Sequence, residues 1–551
     1  MVIKLFKCLK MKNNTNPPSN STFTHTFSIN TEAQRHGEST NSVPLSLCVK
    51  TNLDDTILIA IWYKSLLCLF LFCLGGTLFA QSVKLSLTES IDLAVDSSLQ
   101  AFRAKNMYMV SYWAYRSFHA KRLPSLTLRT IPLEYRRDFT KRYDSNENMD
   151  VYRQQQSLYS HGNLSISQNF DLTGGTFFID SELGYMQNFS NSDNYSQFSS
   201  VPIRIGYSQS LFGFNGFQWD KKIEPLKYTK AKKQFLYSRE EISETTILNF
   251  FTLAMAQMEY DMAKDNVSSS DTLYRIGQER QKIASISQAD LLTLKLDAVN
   301  ARNTFKHAEI SLKRAMFSFV SFLNMDKETQ VALELPDRPE NIEISPGEAL
   351  EHARQYNPDY LAYKQEMLEA DREVDKTKKS SNFDASFSVS VGFNQVAADF
   401  QGAYRKPLQQ DVVSLGLTIP LVDWGVRKGR ANMARNNLNV TKISIQQKES
   451  NLEQDVVMTV NDFNIQQDLI SSAEEALELA TLAYNVTKER FIIGKADLNS
   501  LTLSLNRQNS AQRNYISALQ NYWLNYYKLR KLTLFDFLRQ EVLSISLNQY
   551  Q

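Results

Sequence analysis

Alternation is the first pattern along this chain. Phe383, Ala385, Phe387, Val389, Val391 and Phe393 stand at every second position, separated by Asp384, Ser386, Ser388, Ser390, Gly392 and Asn394. Val413, Leu415, Leu417 and Ile419 repeat the pattern around Ser414, Gly416 and Thr418. Successive side chains of a strand point to opposite faces, so each run predicts a strand with one apolar face and one small or polar face. The runs, 383–394 and 413–419, are near the nine to eleven residues that a tilted strand needs to cross a bilayer. A soluble sandwich alternates in the same way, and periodicity alone does not separate the two. Similar runs occupy residues 125–135 and 201–211. Two more, 164–170 and 177–185, flank Gly174-Gly175, a tight-turn signal that predicts a hairpin.

Elsewhere the period changes. From about residue 428 to 493 there is no proline and one glycine, Gly429. Apolar residues fall at Leu438, Ile445, Leu452, Val456, Val460, Phe463, Leu469, Ala473, Ala476, Ala480 and Ala483. Steps of three, four and seven predict a coiled-coil-like helix. Roughly 65 residues at 1.5 Å each make a rod of about 100 Å. A return helix is predicted through Leu498, Leu501, Leu505, Ala511, Tyr515, Ala518, Tyr522 and Leu529. An earlier pair runs out through Ile247, Phe250, Leu253 and Met258 and back through Leu291, Leu294, Ala298, Ala301 and Phe305. Much of each helix is polar all round. One copy this elongated would bury too little core, which implies an oligomer.

The two halves repeat each other. Ser210-Leu211-Phe212-Gly213-Phe214 ends one strand run and Pro420-Leu421-Val422-Asp423-Trp424-Gly425 ends another. Glu279-Arg280-Gln281-Lys282-Ile283-Ala284 corresponds to Arg490-Phe491-Ile492-Ile493-Gly494. The spacing is 210 positions from Leu211 to Leu421 and again from Ala284 to Gly494. The helix openings near Leu85 and Ile344 are 259 apart, which leaves a 49-residue surplus in the first half. The surplus reads as an added hairpin. The expected organisation is therefore an atypical extension (1–55), a secretory signal (56–80) and a first repeat (81–335: helix, strands with the added hairpin at about 138–187, long helix, return helix). A linker (336–347), a second repeat (348–537: helix, two strands, long helix, return helix) and a tail (538–551) follow.

Composition sharpens this. Lys64, the apolar run 65–74 and the small residues before Ala80 fit a secretory signal cleaved between Ala80 and Gln81. Residues 1–55, upstream of a signal that belongs at the start, read as an overlong gene start. All four cysteines (Cys8, Cys48, Cys68, Cys73) precede the cut, so the expected mature chain has no disulfide framework and no thiol chemistry. Seven Lys/Arg and four Asp/Glu leave with the leader, from a chain of net charge +2. The near-neutral remainder argues against a nucleic-acid partner. No later segment is a long uncharged apolar run. If the exported chain sits in a membrane, it does so as a β-barrel.

The duplicated helix openings, the 420–425 strand exit, Arg490-Phe491-Ile492-Ile493-Gly494 before Leu498, and the tract 514–523 together resemble the TolC-like outer-membrane efflux proteins, over roughly residues 83–535. The resemblance implies a mixed α/β membrane protein. Three copies would share a transmembrane β-barrel in outer-membrane lipid, continuous with a long coiled-coil α-helical barrel in the periplasm. It implies a passive exit duct for tripartite efflux or type I secretion, joined to an inner-membrane transporter by a periplasmic adaptor, with no cofactor and no catalysis. The adaptor-docking tips map to Ile283, Ala284 and Ser285 and to Ile493, Gly494 and Lys495. Family members close the tip with acidic residues just after the turn. By register these positions are Ser500 and Leu503, neither acidic; Asp290 is the counterpart of Ser500, and Asp497 lies three residues earlier. These four form the candidate periplasmic gate. A carboxylate ring in a trimer would favour cations; ordinary solvated helix residues are the alternative. The hairpin would raise the shared barrel from the family's twelve strands to eighteen unless it lies outside the membrane.

Other chemistry is sparse. Met255, Met258 and Met262 share a helical face, a pattern that serves soft metals such as Cu(I) but far more often fills helix contacts. His119, His161, His307 and His352 match no metal-ligand spacing. No nucleophile motif, phosphate loop or paired catalytic carboxylate is present. Phe214 and Trp424, at matched strand exits, read as membrane-interface anchors, with core packing as the alternative. Two rivals remain from the residues alone: a periplasmic adaptor, which also joins strands to a helical hairpin, and a coiled-coil surface filament.

Overall fold

The computed structural model describes residues 83–545 apart from 146, 190–193, 284, 339–340 and 382, so Ala80, Gln81 and Ala284 lie outside the described residues. Strand β1 (Val83–Ser86) pairs in parallel with β6 (Val331–Glu334). Ser86 then opens α1 (Leu87–Ser97) with a capping box to Glu89. Ser98 interrupts the helix in an extended conformation and caps α2 (Leu99–Ala120). The second half starts alike: α5 (Pro346–Tyr356) stops at Asn357, which caps α6 (Pro358–Ser380). Each opening helix expected from the sequence is thus two helices. The second break follows from Pro358, which disfavours helical geometry at the residue before it.

Two long helices dominate. α3 (Gly216–Lys282) and α7 (Val426–Ile492) each have 67 residues, roughly 100 Å of rod. They return through α4 (Gln288–Phe322) and α8 (Leu498–Thr533). The four pack together at mid-length, where Phe250, Phe251, Phe319, Phe463, Tyr522 and Tyr526 are almost wholly buried. Phe463 meets Tyr522 at 5.0 Å and Phe250 meets Phe319 at 6.3 Å between ring centres. Met258 lies in this core with Met255 and Met262 against it, so the methionine face is packing.

The seam of α7 differs from the sequence reading in one respect. Leu469, assigned to it, is 47% exposed, whereas Ile470 is buried. Below Phe463 the buried positions run Ile470, Tyr484 and Phe491, in steps of seven or fourteen. Leu469, Ala476 and Ala483 form a second, open seam one residue back. Both rows obey the heptad spacing, so spacing alone does not decide which is buried.

The strands form one antiparallel sheet in the order β2-β3-β4-β5-β7-β8, comprising β2 (Ser125–Asp144), β3 (Met149–Asn169), β4 (Thr176–Phe189), β5 (Tyr195–Ser210), β7 (Asp384–Ala397) and β8 (Leu408–Thr418). The β3–β4 hairpin lies inside the sheet, between β2 and β5. Irregularities in pairing fall at Ile131/Glu134, Asp180/Glu182 and Ser200/Ile203. Pro132 and Pro202 sit in the first and last of these gaps, because proline has no N–H to give a ladder. Register sorts the faces. Leu126, Ile166, Ile179, Ile205 and Val391 stand side by side across five strands. One residue along, Thr127, Ser165, Asp180, Arg204, Gly392 and Gln410 stand side by side across all six.

After α8, Leu534 adopts a left-handed backbone (φ 49°) and turns the chain into the two-residue strands β9 (Phe535–Asp536) and β10 (Glu541–Val542). Asp536 receives the Tyr526 hydroxyl at 2.5 Å and pairs with Arg530 at 3.1 Å, and Arg530 donates to Glu240 of α3 at 3.2 Å. Burial pushes the Glu240 carboxyl up. Burial opposes ionisation of Asp536 as well, but Tyr526, Arg530 and two backbone N–H groups together hold it below the ordinary range. Arg530→Ala would leave two buried carboxylates without their cation. It should destabilise the protein by about 3–5 kcal/mol, read as a lowered melting temperature in detergent, whereas the surface change Lys313→Ala should not.

Candidate functional site: hairpin tips and strand exits

Both long helices end in the same closure. Ser285 N–H donates to Arg280 O, and Lys495 N–H donates to Arg490 O, each at 2.8 Å. This six-to-one bond ends a helix through a left-handed residue. At the second tip that residue is Gly494 (φ +79°), where glycine carries no steric cost; its counterpart, Ala284, lies outside the described residues. Ser287 then caps α4, with its hydroxyl donating to Asp290 at 2.7 Å and the Asp290 N–H returning at 3.0 Å. Asp497 caps α8 by accepting from Ser500 N–H at 2.6 Å. That N–H and the adjoining Ser500 side chain hold the Asp497 carboxyl below its usual range.

The tips are tied together by a residue the sequence reading passed over. Arg280 Nη1 donates to Phe491 O at 3.2 Å, and its guanidinium stands 5.6 Å from the Phe491 ring. A β-carbon at Gly494 would come within 3.2 Å of Arg280 Nη2, so glycine also admits the arginine. Tyr484, Phe491 and Leu501 form a small core above the tips. An open groove of about 770 Å³ between the tips is lined by both Asp290 and Asp497. Ser500 and Leu503 are exposed on α8 and do not line it. Ile283 (75%) and Ile493 (65%) are the most exposed apolar groups of the tips, and Ser285 and Lys495 are exposed beside them.

The strand exits differ from each other. Trp424 is 96% exposed with positive φ, while Phe214 is half-buried. Asp423 accepts from Gly425 N–H at 3.1 Å, Arg427 N–H at 2.9 Å and Arg427 Nε at 2.5 Å. The Arg427 side chain and the two backbone N–H groups hold its carboxyl at about 2. Arg427 also reaches Ser381 O and Pro420 O, fastening the end of β8 to the start of α7. The Asp-x-x-x-Arg spacing carried this in the sequence, although no role was drawn from it there.

Residues 349–533 match the family model described as outer membrane efflux protein. Comparison with curated protein sequences finds no match. Among solved structures, the CmeC outer membrane channel of Campylobacter jejuni is similar at a TM-score of 0.60 and 13% identity, over 81% of this chain and 85% of that one. The outer membrane protein VceC of Vibrio cholerae gives 0.55 and 14%, over 81% and 95%. The open state of the Neisseria gonorrhoeae MtrE outer membrane channel gives 0.54 and 13%, over 81% and 88%. The resemblance to TolC-like outer-membrane efflux proteins read from the sequence is thus matched over residues 349–533, and the fold is shared with solved outer membrane channels. Among the described residues no helix is long and apolar enough to cross a membrane.

Arg280→Ala removes the only hydrogen bond described between the two tips. Purified protein in planar bilayers should then show longer open times than the parent channel; unchanged open times would reject Arg280 as a staple.

Proposed function

We propose that three copies assemble into a passive exit duct, with the sheets closing a barrel in outer-membrane lipid and the long helices a periplasmic tube. The open seam on α7 carries this reading. Leu469, Ala476 and Ala483 keep heptad spacing yet stay exposed in the single chain, Leu469 and Ala476 along an open groove beside α8. A helix in a closed ring touches a neighbour on each side and so needs two seams, and the second waits for another copy. The tips, with Ile283, Ser285, Ile493, Gly494 and Lys495, dock a periplasmic adaptor that joins the duct to an inner-membrane transporter. Exposed isoleucines beside a cation favour an apolar partner surface with an acidic rim. Phe214 and Trp424 anchor the periplasmic interface, chiefly through Trp424. The two repeats supply alternate staves of the tube.

Asp290 and Asp497, three copies of each, ring the periplasmic entrance. Asparagine keeps the acceptor that each cap needs while removing the charge. Asp290→Asn with Asp497→Asn should therefore weaken cation selectivity without unfolding the tips, and unchanged selectivity would reject this gate. The Asp497 carboxyl titrates below the ordinary aspartate range, so its share of the selectivity should stay constant from about pH 8 down to about pH 5. The reading as a whole is tested by conductance of detergent-purified protein. Small, discrete openings from a trimer-sized species are expected. A water-soluble monomer without conductance would return the choice to an adaptor or a filament.

A further inference from the structure

We infer that the wall of the assembled barrel has eighteen strands, six from each copy, with the β3–β4 hairpin inside the membrane; this rests on the trimeric duct proposed above. The register rows carry the inference. Ile166 of β3 and Ile179 of β4 continue the outward apolar row of Ile205 and Val391 without a gap. Their neighbours Ser165 and Asp180 continue the opposite polar row. A hairpin folded outside the bilayer would have no reason to keep both rows in step with β5 and β7. Its polar face also carries charge: Arg204 Nε donates to Asp180 at 3.1 Å and its Nη2 lies 2.5 Å from the same carboxylate. Ion pairs of this kind suit an aqueous lumen and not lipid.

The sheet edges show what closes it. β2 and β8 are the edges, and their outer backbone N–H and C=O groups must find partners in a bilayer. Six alternating strands leave β2 and β8 antiparallel, so β8 of one copy meets β2 of the next as an ordinary antiparallel pair. Strands about 4.8 Å apart and tilted about 40° place the walls of an eighteen-strand barrel about 36 Å apart, against about 24 Å for twelve. Barrels of this strand number enclose an aqueous channel. The narrowest point is then left to the periplasmic tips, and the outer mouth admits bulky cargo.

The test uses single cysteines, clean because every native cysteine lies at or before residue 73. Ile166→Cys, Ile179→Cys, Ser165→Cys and the reference Val389→Cys each receive an environment-sensitive fluorophore. The full-length assembly is then placed in bilayers with nitroxide-labelled acyl chains. Loss of fluorescence at 166 and 179 equal to that at 389, with none at 165, is expected. Quenching at 389 but not at 166 or 179 would overturn the wider barrel and keep the duct. No quenching at 389 would overturn the duct itself, and the wider barrel with it. Should a variant fail to assemble, counting strands in the unmodified particle by cryo-electron microscopy decides: eighteen supports the inference and twelve overturns it.

Discussion

A backbone carbonyl or N–H in hydrocarbon has no water to turn to, and each one left unpaired costs several kcal/mol. In the proposed barrel that constraint falls on β2 and β8, the two strands with a neighbour on one side only. Six strands are too few to close on themselves. In the proposed duct the apolar face set up by Leu126, Ile166, Ile179, Ile205 and Val391 meets the bilayer, and the open edges are closed by further copies. The long helices obey the same logic in water. Their inner seam is completed within the chain, while Leu469, Ala476 and Ala483 leave an outer one open.

Between the sheet and the helices the chain must change direction without losing alignment, and charged groups do that work at fixed points. Arg427 and Asp423 hold β8 to α7. Arg122 and Asp171 join the end of α2 to the β3–β4 turn. Arg530, between Glu240 and Asp536, locks the end of the chain against α3. These pairs hold backbone ends as well as each other, which gives them a structural role beyond the small worth of an exposed ion pair.

Much of this was legible in the chain. Strand alternation at 383–394, the proline-free stretch from 428 and the recurring tip motif each rest on local periodicity, and local periodicity survives into the fold. What the sequence left open depended on partners far along the chain. Whether Leu469 or Ile470 is buried is decided by packing between helices, because both rows have the same spacing. Ser98 gives little warning of a helix break, since serine is tolerated within helices as well as at their caps. Arg280 sits inside a motif that was noticed, but its contact with Phe491 spans 211 positions. The place of the added hairpin within the sheet follows from cross-strand register, which no single run of residues encodes.

The small parallel pair β1–β6 bears on how the protein is made. Val83 lies at the start of the described chain, and its partner Val331 follows about 250 residues later. A chain that emerges from its amino end must present β1, α1, α2 and the first four strands of the sheet before that partner exists. Contacts this distant in sequence form late and slowly. Meanwhile the apolar faces of β2 to β5 stand open in water, as aggregation-prone surface. The order of synthesis therefore leaves the apolar strand faces waiting for the second half of the chain.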